Sequence, residues 1–210
     1  MKSRSMWWWP AALALAACGH SPPTRYFSLD AVPPHAPLET TGAIGSPEGP
    51  RVQLGAVRVP ASLDRPEVVA QDATHTLSVR DGDHWGAPLA QMMRRTLAQD
   101  LLARLPAGTF VLPDAPAPDG TRGIVVTVLD LRANTKPSNG SNMPNGSKGQ
   151  LVLEGSWTLT SGQPAKALLT ENVVLSEPMS SADSGAIADA MSRVLGQLAD
   201  HIAASLAAQR

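Results

Sequence analysis

The chain contains a single cysteine, Cys18, and this constrains how a folded domain can be held together. A lone thiol cannot form a disulfide within the chain, and it also excludes a cysteine-rich zinc site and a redox pair. Any folded part must therefore rest on a hydrophobic core. The 210 residues are enough for one domain with a tail, since domains usually have roughly 100–200 residues.

The residues before Cys18 have the organisation of a secretory signal. Lys2 and Arg4 give a positive start, and residues 6–17 form a mostly apolar run that ends in small side chains. The run is 12 residues long, whereas a helix that crosses a bilayer needs about 20. We therefore predict a signal peptide over residues 1–17 and not a membrane span.

The sequence Leu15-Ala16-Ala17-Cys18 resembles the bacterial lipobox. The resemblance implies that the Cys18 sulfur receives a diacylglycerol and that, after cleavage, the new amino group is acylated, for example by palmitate. The alternative is a conventional cleavage site that lies near Cys18 by chance. Several acyl chains give attachment that does not readily reverse. By resemblance to enterobacterial sorting, Gly19 in place of Asp favours the outer membrane, so we expect a lipid-anchored protein that faces the periplasm.

The charge balance excludes a strong basic field. Lys and Arg number 17 against 18 Asp and Glu, a formal charge of −1, so nucleic acid is not an expected partner. Removal of the signal takes away Lys2 and Arg4 and leaves 15 − 18 = −3. A basic patch is therefore not what holds the mature chain to anionic lipid.

Composition divides the mature chain into a tether and a domain. Residues 18–50 are rich in Pro, Gly, Ser and Thr and predict an extended tether. Within it, residues 25–29 are β-favouring and predict a first strand. Residues 51–210 are expected to form the main domain.

Hydrophobic patterns in this domain predict an α+β fold with a mostly antiparallel sheet and two amphipathic helices packed on one face. A helix is expected from Pro88, and another after a capping box of Ser180 and Asp183. Residues 81–83 predict a turn, and residues 134–149 a long mobile hairpin loop. The predicted strands are 51–59 with a bulge at Gly55-Ala56, 66–70 and 75–80 joined by a turn at 71–74, 110–112, 124–131 as a central strand covered on both faces, 151–160, and 165–175.

Several segments in this order resemble the ABC-type transport auxiliary lipoproteins, which include the paraquat-inducible protein C group. They are the lipobox, Pro22-Pro23 with Tyr26, residues 59–66, Trp85 with Pro88-Leu89, and Trp157 with the last helix. The resemblance implies a non-catalytic periplasmic lipoprotein that works with a transporter carrying mammalian-cell-entry domains and moves lipid between membranes. It also suggests a homo-oligomeric ring. The chain has His84 and Ala87 where the family often has a basic residue and Glu.

The partner-binding candidates are Leu63, Asp64, Arg65, Pro66 and Trp85. Loops carry many functional residues, and Arg65 can bind a partner carboxylate with two hydrogen bonds. Equally, Asp64 and Arg65 can stabilise the loop within the monomer, while Pro66 sets the start of a strand. Trp85 is either an exposed interface anchor or a core residue at the start of the helix.

Catalysis and metal binding find no support in the motifs. The sequence has no Gly-x-Ser-x-Gly elbow, Walker loop or His-Glu-x-x-His, and no cofactor is expected. Asp81-Gly82-Asp83-His84 lacks the further acidic ligands of a calcium loop. The Met92-Met93 pair and the last helix can line a lipid groove, but such stripes are ordinarily core. The alternative function is an assembly lipoprotein, such as a pilotin or another outer-membrane translocon subunit.

Overall fold

The structure is a computed structural model that describes residues 23–34, 49–71, 76–134 and 149–209. The predicted signal peptide, Cys18, most of the predicted tether, the turn at 72–74 and loop residues 135–148 lie outside the described residues. The elements in chain order are β1 (Arg25–Phe27), β2 (Val52–Arg58), β3 (Glu67–Gln71), β4 (Leu77–Trp85), α1 (Leu89–Arg104), β5 (Phe110–Val111), β6 (Arg122–Asn134), β7 (Gly149–Ser161), β8 (Lys166–Met179) and α2 (Ser184–Ala207).

The larger sheet has five strands in the order β5-β2-β6-β7-β8. Its β6-β7-β8 part is antiparallel, as expected for strands joined by hairpins. β2 pairs in parallel with both β5 and β6. Parallel strands need a long crossover connection, and the chain between β2 and these two strands supplies one that includes α1. The α+β class is confirmed, and the sheet is mixed where a mostly antiparallel one was predicted. The bulge predicted at Gly55-Ala56 is confirmed by a register shift between Leu54 and Val57.

β1, β4 and β3 form a second, three-stranded sheet in that order. β1 is parallel to β4, and β3 is antiparallel to it. The turn predicted at residues 81–83 is wrong, because these residues lie inside β4. They form a bulge of three residues that have no partner in β3: Glu67 pairs with His84, whereas the next residue of β3, Val68, pairs with Arg80. Local Asp-Gly-Asp chemistry favours a turn, but pairing with β1 keeps the chain extended here.

The helices cover one face of the five-stranded sheet, with α1 against β2 and α2 against β7 and β8. β6 is central, but its predicted cover on both faces is wrong, because buried side chains alternate with accessible ones and Leu129 is exposed. Trp157 is fully buried on the helix side. Met92, Met93 and the stripe of α2 also lie in the core, so the core interpretation of these stripes describes them.

α2 begins later than its predicted capping box. Asp183 is the N-cap residue, and its carboxylate accepts a hydrogen bond from the Ala186 backbone N–H. Ser180 takes no part in this cap, which places the first helical residue at Ser184. An N-cap carboxylate satisfies one of the otherwise unpaired N–H groups of the first turn.

Candidate functional site

The segment after β1 is fixed between the two helices. Leu29 is fully buried, and the Val32 backbone N–H donates to the Asp100 carboxylate at 2.8 Å. Gly196 of α2 faces Val32, and a Cβ there would lie 3.2 Å from the Val32 Cβ, so this glycine gives the segment room. The folded body therefore already includes residues 25–32, which the sequence divided between a tether and a short strand.

A buried arginine joins this segment to both helices. The Arg104 side chain is only 2% exposed, and its Nη1 donates to the Val32 carbonyl at 2.9 Å. Its Nε donates to Asp200 of α2 at 2.6 Å, while the contact to Asp100 is longer, at 3.4 Å. Burial raises the pKa of Asp100 to about 6, against the opposing effects of the Val32 N–H and Arg104. Asp200 takes the closer contact, so the Asp100 charge is incompletely balanced.

This raised pKa predicts a pH-dependent stability. Because the folded-state pKa of about 6 lies above the unfolded value of 3.8, the native state binds the extra proton, and stability falls as the pH rises from about 4 to about 6. The expected loss in the free energy of unfolding is about 2 to 3 kcal/mol. Urea unfolding at several pH values measures it in the protein and in Asp100→Asn. Parallel pH profiles for the two would contradict the assignment to Asp100.

A second cluster ties β1 to β4 and to the start of α2. Arg25 donates from Nε and Nη2 to the two oxygens of Asp83, at 2.8 and 2.9 Å. The Ser184 hydroxyl donates to the same carboxylate at 2.6 Å. The hydrogen bond from Arg25, followed by that from Ser184, holds the pKa of Asp83 below its usual range. A load applied to the chain before Arg25 would therefore be carried by the sheet, both helices and the core.

The loop with the predicted contact residues lies at the start of α1. Pro88 precedes the helix without a side-chain cap, and the Asp64 carboxylate accepts from the Ala90 N–H at 3.2 Å in its place. Asp64 thus satisfies an unpaired N–H of the first turn from a distant loop. Leu63 is buried in the core, and the Pro66 carbonyl accepts from the Trp85 N–H at 2.7 Å.

Arg65 lies on the accessible part of this loop, together with Asp64 and Pro66. It is 47% exposed, and its Nε lies 3.4 Å from Glu67. Trp85, by contrast, is only 5% exposed and belongs to the core. Of the two interpretations of Trp85, packing at the start of α1 therefore describes the folded domain, and the exposed anchor does not. At the end of β4 the buried residues Asp83 and Trp85 alternate with half-buried His84, as expected for a strand with one face towards the core.

A groove of about 480 Å³ runs along the outer side of α1. Its lining is mainly apolar, and two adjacent arginines of α1, with Gln91, Gln99 and Asp114, add polar groups at its border. The side chains that matter for its chemistry are Met92, Arg94, Arg95, Ala98, Leu102 and Leu112. The groove begins at Ala87 and Gln91, next to the residue that Asp64 caps. Sequence reasoning considered Met92-Met93 as the lining of a lipid groove and favoured the core. Met92 is buried and also lines this groove, whereas the paired arginines beside Leu102 were not recognised as a signal for it.

The loop after β5 forms one wall of the groove, with Leu112, Pro113 and Asp114. Arg94 donates to the Gly55 carbonyl at the bulge and makes two hydrogen bonds with Asp114, at 2.7 and 2.8 Å. Gln53 of β2 donates to the carbonyls of Leu112 and Ala115, both at 2.9 Å. These contacts fix the loop after β5 against α1.

Arg95 is the second arginine of this groove. It is exposed, and within the described ranges it has no hydrogen-bond or ionic partner. Arg94, in contrast, forms an ion pair with Asp114. The groove can therefore accept an apolar segment with a carboxylate placed beside Arg95.

Among the residues that the structure describes, no group of three or more His, Cys, Asp or Glu side chains could hold a metal ion. In the same residues, no helix has the length and hydrophobicity to cross a membrane.

Comparison with known families identifies the family of this chain. The sequence model of one protein family, described as the ABC-type transport auxiliary lipoprotein component, matches residues 28–203. The chain belongs to this family. The match begins next to β1 and ends within α2. It therefore includes most of the residues around Arg104 and around Asp83, the loop at Asp64 and the groove. No curated protein matches the chain.

Two solved structures share the fold. One is described as an uncharacterised protein; it is 17% identical, covers 88% of this chain and 99% of its own, and has a TM-score of 0.64. The other is protein XCC0632 from Xanthomonas campestris, of the DUF330 family, with 13% identity, the same two coverages and a TM-score of 0.62. At these identities the likeness shows the fold alone. As a family member, the protein is an auxiliary lipoprotein of ABC-type transport.

Proposed function

We propose that this auxiliary lipoprotein is a non-catalytic scaffold subunit of a periplasm-spanning lipid transporter with mammalian-cell-entry domains. It is anchored by acylated Cys18 in the outer membrane, faces the periplasm and contributes to membrane integrity. The single observation that carries the proposal is the family match over residues 28–203. The attachment of residues 25–32 through buried Leu29 and through the buried carboxylates of Asp83 and Asp100 supports it, because a subunit that holds a partner at a membrane must transmit load from its anchor.

The surface proposed for the transporter is formed by Arg65 and the α1 groove. Both lie at the start of α1, where Asp64 joins the loop to the helix. The exposed cations Arg65 and Arg95 flank apolar side chains, which is the composition of an interface core with a polar rim. A homo-oligomeric ring of such surfaces would suit a tubular partner.

Substitution at these two arginines should weaken partner capture without unfolding the protein. Arg65→Ala and Arg95→Glu remove exposed guanidinium groups, for which a stability change within about 0.5 kcal/mol is expected. Capture should fall at least roughly tenfold, as for loss of a charge-assisted contact of about 1.4 kcal/mol. Asp64→Ala is the matched control for a loss of stability. It removes the hydrogen bond to the Ala90 N–H and should cost about 1 kcal/mol of stability. Equal losses of melting temperature and capture in Arg65→Ala would favour the loop-stabilising alternative.

Site-specific crosslinking in cells tests the identity of the partner. A photoreactive residue at Arg95 should crosslink to a subunit with mammalian-cell-entry domains, and the same residue at exposed Val174 of β8 serves as the control. Capture of a secretin or an outer-membrane barrel from position 95 would instead support the alternative of an assembly lipoprotein.

A further inference from the structure

The three-stranded sheet has one face that does not belong to the core. In β3 and β4 the buried residues Val68 and Ala70 alternate with Val69, which pairs with Val79. At the other end of the sheet, Tyr26 pairs with His84, and their ring centroids lie 5.9 Å apart. We define the outer face of this sheet as Tyr26, Glu67, Val69, Leu77, Val79 and His84.

This face is apolar and aromatic where it meets solvent. Tyr26 is 72% exposed, and Leu77 and Val79 are also exposed. Glu67, which shares the face, is paired with Arg65. Tyrosine is enriched at the boundary between lipid and water, where its ring lies in an apolar layer and its hydroxyl in a wet one. The composition therefore suits the surface of a bilayer.

The length of chain between Cys18 and this face limits how far the face can lie from the bilayer. Seven residues lie between Cys18 and Tyr26, and the eight steps from one Cα to the next, at about 3.6 Å each, span at most about 29 Å. A domain of this size has a radius of gyration of about 16 Å, so its diameter is roughly 40 Å. The reach is shorter than the domain is wide. An orientation in which the side opposite Tyr26 rests on the bilayer that holds Cys18 is therefore excluded.

We infer that the outer face of the three-stranded sheet docks on the lipid bilayer in which Cys18 is anchored. This inference rests on the proposed acylation of Cys18. Docking orients the domain, because the anchor alone would leave it free to rotate about the residues before Arg25. The orientation then sets the direction in which Arg65 and the α1 groove point from the membrane.

Fluorescence quenching in vesicles tests this orientation. The lipidated full chain carrying Tyr26→Trp is reconstituted in phosphatidylethanolamine and phosphatidylglycerol vesicles, with and without lipids brominated on the upper acyl chain. The tryptophans already present in the folded domain, Trp85 and Trp157, are buried and give a constant background. Brominated lipid should reduce the emission of the tryptophan introduced at position 26 and leave that of the control Val174→Trp, on exposed β8, unchanged. Adding Val79→Asp should abolish the quenching while lipidation persists.

Labelling with radioactive palmitate separates the possible failures. If Cys18 incorporates label but the Tyr26→Trp emission is quenched no more than that of the control, the docking inference is wrong and the proposed anchor stands. A blue-shifted Tyr26→Trp emission that brominated lipid does not quench would mean that a protein surface covers this face, which also overturns the inference. No label at Cys18 would overturn both. Circular dichroism of Tyr26→Trp and Val79→Asp checks that each variant is folded.

Discussion

Cys18→Ser is expected to abolish lipid labelling and to release the protein from the membrane into the soluble periplasm. The thioether to diacylglycerol needs the sulfur, and no other cysteine exists in the chain to replace it. Without acyl chains, each worth about 0.8 kcal/mol per buried methylene, the weak docking of one sheet face cannot retain the domain. Membrane fractionation with palmitate labelling measures both effects.

The matched control restores a thiol outside the motif. Cys18→Ser combined with Ser21→Cys keeps one cysteine, but the new thiol no longer follows the Leu-Ala-Ala sequence directly and should not be labelled. Gly19→Asp tests the sorting of the anchor and should retain the label while shifting the protein towards the inner membrane. Unchanged fractionation of Cys18→Ser would contradict the anchor and, with it, the proposed function.

Arg104→Met is expected to be the most destabilising single substitution that we consider in the folded body. It removes the cation that lies between Asp100 and Asp200 and takes the Nη1 donor away from the Val32 carbonyl. Breaking a buried ion pair by removing one partner costs about 3 to 5 kcal/mol, because the other charge stays buried and uncompensated. Urea unfolding of the non-lipidated full chain at neutral pH measures the loss.

Arg94→Met is the control for Arg104→Met. Arg94 also forms an ion pair with an aspartate, but Asp114 is 79% exposed, so the cost should be at most about 1 kcal/mol. Amide hydrogen exchange adds a second measurement, since Val32 should lose protection only in Arg104→Met. A loss in Arg104→Met no larger than in Arg94→Met would show that the cluster does not fix the segment after β1.

Sequence periodicity alone was sufficient to predict those helices and strands whose structure follows from the burial of one face. The stripe of α2 and the alternation of β7 both follow from burial of one face. The bulge at Gly55-Ala56 was visible because the apolar phase changes there. Three predictions failed, two of them because residues distant in the chain decide the structure. Residues 81–83 stay extended because of β1, the cap of α2 is Asp183 and not Ser180, and β6 has helices on one face only.

By itself, the sequence determined the α+β class, the two helices, the family resemblance and the single cysteine on which the proposed anchor depends. These features depend on local composition and on the spacing of apolar residues along one element. Only the tertiary structure decided that Arg104 clamps the segment after β1, that Trp85 is buried and Arg65 exposed, and that a groove lies beside α1. Each of these depends on which residues far apart in the chain become neighbours, and that is set by the packing of two sheets and two helices around one core.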